Sequence, residues 1–158
     1  MTDEMKIAQA CRVYLTLCNA IERMDWNYTK KEEILAVEFS VTGEDLPMPF
    51  HLLVDAQRQL VRLSSIIPFS MCEEKRLEGA VATIAANYGM ADGNFDYDLC
   101  DGTIIFRMTA SFRESMISES MFHYMISCTC QTVDQYNDRF FALNKGLITL
   151  ADFLEKRG

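Results

Sequence analysis

The chain has 158 residues, 49% of them hydrophobic and 24% charged, with a formal net charge of −8. That length suffices for one domain with a substantial core and is short for two, so residues 1–158 are read as a single unit. The acidic balance argues against nucleic acid and against an anionic membrane surface, since both favour a basic face.

The first residues, MTDEMKIAQACRVY, begin acidic and lack the apolar centre of a secretory signal. No apolar run approaches the roughly 20 residues of a membrane span. Six cysteines in such a chain read as free thiols of a cytoplasmic protein.

In chain order, Thr2 or Asp3 caps a first helix whose apolar stripe is Ile7, Cys11, Tyr14, Cys18 and Ile21, ending near Asp25. The period then changes to two. Leu35, Val37, Phe39 and Val41 alternate with Ala36, Glu38 and Ser40, as in a half-buried strand. After the polar turn 42–45, Pro47 and Pro49 place the next strand's beginning, or a sheet edge, where no ladder donor is needed. Phe50, Leu52 and Val54 form its inner face. Residues 55–58 turn into a third strand of Val61, Leu63 and Ser65 to Ile67, with Arg62 and Ser64 outward, which Pro68 is expected to end.

Ser70 and Glu73 have capping-box spacing for a second helix with a buried stripe of Leu77, Val81, Ile84 and Tyr88, closed by Gly89. A hairpin follows. Asp101-Gly102 read as a two-residue type I′ turn puts Cys100 opposite Thr103, Leu99 opposite Ile104, Tyr97 opposite Phe106, Phe95 opposite Met108 and Asp96 opposite Arg107. Ser115 or Ser118 then starts a long helix with Phe122, Met125, Ile126, Thr129, Val133, Tyr136 and Phe140 inward, ended by Gly146. Thr149 caps a short last helix with Leu150, Phe153 and Leu154. The expected fold class is α+β in two layers. Five antiparallel strands are covered by helices in the order α-β-β-β-α-β-β-α, with a short C-terminal helix added.

This order, together with Asn87, Gly93-Asn94-Phe95, the turn Asp101-Gly102, the run Ile104 to Arg107 and the aromatic Tyr136 on the last long helix, resembles the YbjN-like family of bacterial sensory-transduction regulators. The fold of that family is similar to that of the type III secretion chaperones. The resemblance implies a regulatory or chaperone-like role and brings no catalytic residues with it. It also implies dimers that cradle extended segments of a client.

Motifs for chemistry fail one by one. Asp92, Asn94 and Asp96 have the first ligand spacings of a calcium loop, but Tyr97 and Thr103 stand where the glycine and glutamate are needed. Cys128 and Cys130 are two apart on a helix and point to different sides. Cys11 and Cys18 read as small core residues. His51 and His123 are too few for a histidine-rich metal site, and nothing joins His51 to Cys100 as a dyad. There is no phosphate-binding glycine loop and no nucleophile elbow. No catalytic, metal or cofactor residue is therefore assigned.

Two softer signals remain. Met108, Met116, Met121 and Met125 cluster around the start of the long helix, where methionine serves either a core or an adaptable surface. Leu53, Ile66 and Ile105 are apolar residues on the expected outer sheet face, which makes them the candidate contact for a partner or a second copy. The expectation is a non-enzymatic regulatory or chaperone-like homodimer that binds a peptide or protein. The alternative is a small-molecule sensor or small enzyme with a pocket between sheet and helices.

Overall fold

The computed structural model describes residues 2–155. Thr2 caps α1 (Asp3–Arg23), accepting from the Met5 N–H at 3.3 Å. The α1 face against the sheet is Ala10, Val13, Tyr14, Leu17, Cys18, Ala20 and Ile21. Ile7 and Cys11 are exposed, so the expected stripe holds only in its C-terminal half. The helix is apolar on more than one side, and the smaller residues Ala10, Val13 and Ala20 win the sheet-facing positions.

A three-residue strand, β1 (Thr29–Lys31), and a 3-10 turn precede β2 (Ala36–Thr42). Leu35, expected inside the strand, instead takes a left-handed conformation with φ 54° just before it. β3 (Pro47–Asp55), β4 (Leu60–Ser70), α2 (Arg76–Asn87), β5 (Asn94–Tyr97), β6 (Thr103–Ser111), α3 (Glu119–Asn144) and α4 (Leu150–Glu155) follow. The fold is α+β with six antiparallel strands in the order β1-β2-β3-β4-β6-β5. The sixth strand, β1, has no alternating apolar pattern, which is why five were expected.

The prolines show how the sheet tolerates missing donors. Pro47 and Pro49 begin β3 and pair with Thr42 and Ser40, while the pairing of β3 with β4 starts only at Phe50. They therefore sit where β3 has a neighbour on one side alone. Pro68 does not end β4. It lies in the irregular stretch between Ile66 and Ser70, where the register with β6 shifts and the lost N–H costs no ladder bond.

The β5–β6 hairpin exists, but its register is displaced by two residues. Phe95 pairs with Phe106, Asp96 with Ile105 and Tyr97 with Ile104. The loop is five residues, 98–102. The Asp98 N–H donates to the Thr103 carbonyl and the Gly102 N–H to the Asp98 carbonyl. Asp98 and Asp101 carboxylates accept the N–H groups of Cys100 and Thr103, each at 2.8 Å. Only Gly102 has positive φ, whereas a type I′ turn needs two such residues. A shift of two keeps every side chain on its face, so Tyr97 and Phe106 still share the inner side. Leu99 is lifted into the loop, 59% exposed, instead of packing on Ile104.

α3 behaves as expected. Ser118 caps it by accepting from Met121 N–H, and Phe122, Met125, Ile126, Thr129, Val133 and Phe140 are buried. Phe140 joins Phe95, Tyr136 and Phe153 in an aromatic cluster with ring separations of 5.3–6.5 Å. Thr149 caps α4, and Phe153 docks α4 into the helical layer rather than across the outer sheet face.

α2 is reversed. Its buried side is Gly79, Ala82, Thr83 and Ala86, and the expected stripe of Leu77, Val81, Ile84 and Tyr88 points to water. No capping box forms: Ser70 Oγ bonds Thr103 Oγ1, and the Cys72 N–H is taken by Asn144 Oδ1. Met71 N–H donates to the Gly102 carbonyl, so the segment before α2 is tied to the hairpin loop. A Cβ on Gly79 would stand 2.8 Å from both Met71 Cγ and the Tyr97 hydroxyl. The helix lies so close to β5 that only small residues fit between them.

Candidate partner-binding face

β-strand alternation sends one side chain in two to each face. On the inner face one cross-strand row runs Phe39, Phe50, Ser65, Phe106 and Phe95, all buried. On the outer face the matching row is Thr29, Glu38, His51, Ser64, Arg107 and Asn94. Among the described residues, none of the outer-row side chains is fully buried. The helices pack on the other side, and the outer face carries a depression of about 520 Å3. Ile66, Ile105, Pro49, His51, Ser64 and Glu38 line it. Two smaller hollows adjoin it through Ile105.

Ile66 and Ile105 are direct cross-strand partners, and Ile66 is 45% exposed. Leu53 stands opposite Arg62 on the far side of the His51–Ser64 row and is half-buried. The isoleucine pair and Leu53 thus stand on either side of that polar row, and Leu53 and Ile105 line one hollow with His51, Arg62, Ser64 and Arg107. Pro49, expected to begin a strand or sit at a sheet edge, also lies beside this isoleucine pair.

The charges on this face are matched pair by pair. Lys31 meets Glu38 at 2.6 Å, His51 meets the same carboxylate at 3.9 Å, Arg62 meets Asp55 at 3.8 Å, and Arg107 pairs with Asp96. The hydrogen bond from Lys31 holds the Glu38 carboxyl below its usual range, and the Lys31 charge adds to it. Exposed pairs of this kind add little to stability, because water and salt screen them. Their consequence is electrical: a face without excess negative charge on a chain of net charge −8.

The remaining candidates are dispersed. Asp92 accepts from the Tyr124 hydroxyl, Asn94 donates to Asp96, and Asp96 is held by Arg107. Among the described residues no group of three or more His, Cys, Asp or Glu has metal-binding geometry. His51 lies on the outer face and Cys100 in the hairpin loop, while His123 bonds the Ala20 carbonyl. Cys11, Cys72 and Cys100 are exposed, Cys18 is buried, and none of the six cysteines forms a disulfide. Burial pushes the Cys130 thiol up to about 11, with Asp134 adding to the rise. Met108 and Met125 fill the core, and Met116 and Met121 are exposed. Met121 and Met108 line a second cleft of about 480 Å3 between the β5–β6 edge and α3, with Asp92, Asn94, Arg107, Thr109 and Tyr124.

Among the described residues no helix is long and apolar enough to cross a membrane. No family model matches the chain, and no curated protein matches it significantly. Among solved structures it is similar to the crystal structure of YbjN, a proposed transcription regulator from E. coli. The TM-score is 0.57 at 9% sequence identity, covering 78% of this chain and 90% of that one. The resemblance read from the element order and the central hairpin is found again in three dimensions, as a likeness of fold.

Proposed function

We propose that this protein is a non-enzymatic regulatory or chaperone-like protein that holds a peptide or protein partner against the outer face of its sheet. The observation that supports this most is the depression around Ile66 and Ile105, on a face the protein's own helices leave open. It offers apolar area flanked by paired charges, and it is shallow, as suits an extended chain better than an enclosed small molecule. The similarity to YbjN lends support through that protein's description as a regulator. In cells a cytoplasmic location accords with the free thiols.

The test is native mass spectrometry of the protein purified from its own cells, compared with the variant Ile66→Asp. A co-purifying polypeptide carried by the wild type and lost from the folded variant is the expected result. Retention of the same polypeptide by the variant would remove the sheet face from the proposal.

One observation favours a second reading, a sensor of a small polar ligand. The cleft lined by Asp92, Asn94, Arg107 and Tyr124 lies at a junction of sheet and helix. A bound small molecule lost on Tyr124→Ala, with the polypeptide absent, would select it.

A further inference from the structure

β6 runs nine residues, but its neighbour β5 covers only part of it. Their pairing stops at Asn94 opposite Arg107, whereas β4 stays paired with β6 as far as Ser111. Among the described residues no other strand continues β5 along that edge. Just past β6, the Phe112 N–H donates to the Gln59 carbonyl on the β4 side, at 3.0 Å. Successive residues of an antiparallel ladder turn their backbone groups to opposite sides, so Ser111 and Thr109 turn theirs to the open edge. Thr109 lines the cleft of about 480 Å3 at that edge, together with Asp92, Arg107, Met108, Met121 and Tyr124.

We propose that this cleft binds a small zwitterion of the α-amino-acid type with an apolar side chain, which rests on the small-ligand reading of the same site. The ligand's carboxylate meets the Arg107 guanidinium and the Thr109 N–H. Its ammonium meets the Asp92 carboxylate and the Thr109 carbonyl. Its side chain lies on the thioethers of Met108 and Met121, soft groups that adapt to several shapes.

Charge selects this class of ligand. The Asp92 carboxylate accepts from the Tyr124 hydroxyl at 2.5 Å and, among the described residues, has no cationic partner. That hydrogen bond pushes the hydroxyl's pKa up, so Tyr124 stays a neutral donor and the negative charge of Asp92 stays unbalanced. Arg107 supplies the opposite charge. Asp96 accepts from Asn94 at 2.8 Å and pairs with Arg107 Nη2, which holds the guanidinium in place. A guanidinium carries five N–H donors, so others remain for a ligand carboxylate. A plain anion would meet Asp92 and a chain of net charge −8. A plain cation would leave the spare donors of Arg107 unused. A zwitterion matches both groups. The cleft's volume also lies within the range of small-molecule sites, about 300–1,000 Å3.

Isothermal titration calorimetry with L-leucine, L-methionine and L-phenylalanine tests this, with circular dichroism as the check on folding. At least one of the three is expected to bind. Its N-acetyl derivative lacks the ammonium and its amide lacks the carboxylate, and each is expected to bind about tenfold more weakly or worse. Asp92→Asn should weaken the free amino acid about tenfold yet leave the N-acetyl derivative unchanged, and Arg107→Gln should do the same with respect to the amide. The derivative series needs no variant, so it decides the matter should Arg107→Gln unfold. No binding of any of the three at about 10 mM overturns the inference, as does equal affinity for the N-acetyl or the amide form. A small molecule lacking either charge, carried by the wild type in native mass spectrometry and lost on Tyr124→Ala, overturns the zwitterion and keeps the small-ligand reading. A wild type that carries no small molecule and binds none of the three removes both.

Discussion

α2 and α3 lie in the same helical layer over the same sheet, yet they solve the packing in opposite ways. α3 turns Phe122, Met125, Ile126, Val133, Phe140 and Leu143 inward. α2 turns its smallest residues inward and its largest outward. The cause is spacing. α3 crosses the broad centre of the sheet, where large side chains fill the gap between layers. α2 is drawn against the short edge strand β5 by the Tyr97 hydroxyl donating to the Arg76 carbonyl and by the Asn87 side chain on Phe95. A helix held that near can interpose only small residues. An amphipathic pattern therefore identifies a stripe, but available space decides whether the stripe faces the core.

Substitutions on the two helices sharpen the contrast. The largest effect belongs to α3: Phe140→Ala empties the middle of the aromatic cluster and should lower stability by about 3–5 kcal/mol in urea denaturation. A loss below about 1 kcal/mol would mean that the cluster collapses around the gap and that α3 is not the anchor. Next comes Gly79→Val on α2, where the added atoms meet Met71 and Tyr97. It should cost about 1–3 kcal/mol as overpacking, even though glycine is a poor helix former. A neutral or stabilising result would show that α2 is free to move off β5.

Asn137→Leu should act in the other direction. Asn137 is buried on α3 with neither amide group hydrogen-bonded among the described residues. An apolar residue of similar shape removes that penalty and should raise the thermal midpoint, with a gain of about 1 kcal/mol. A fall would show that the amide is bridged by an ordered water. The smallest effect is expected at Ile84→Ala. An exposed side chain should change stability there by no more than about 0.5 kcal/mol. A loss comparable with that of Phe140→Ala would place Ile84 in the monomer's own core and dissolve the contrast between the helices.

Much of the fold was legible in the residues. The α+β class, the order of elements, the Ser118 cap and the inner face of α3 follow from local periods and capping chemistry. These depend on neighbours close in sequence. The hairpin's faces were also legible, because alternation survives a two-residue slip. Its register was not, since the carboxylates of Asp98 and Asp101 and the tie from Met71 to Gly102 select the wider loop. β1 was not legible either: its three residues, Thr-Lys-Lys, pair with β2 and carry no apolar signal.

For the candidate site, alternation placed Leu53, Ile66 and Ile105 on the outer face. The separation of Leu53 from the isoleucine pair depends on how β3, β4 and β6 are laid side by side. The orientation of α2 was likewise decided by tertiary structure. Two stripes compete along that helix, and local sequence carries no measure of the distance to β5. Periodicity is set by the chain's own geometry, whereas register and facing are set by which other surfaces arrive, and how near.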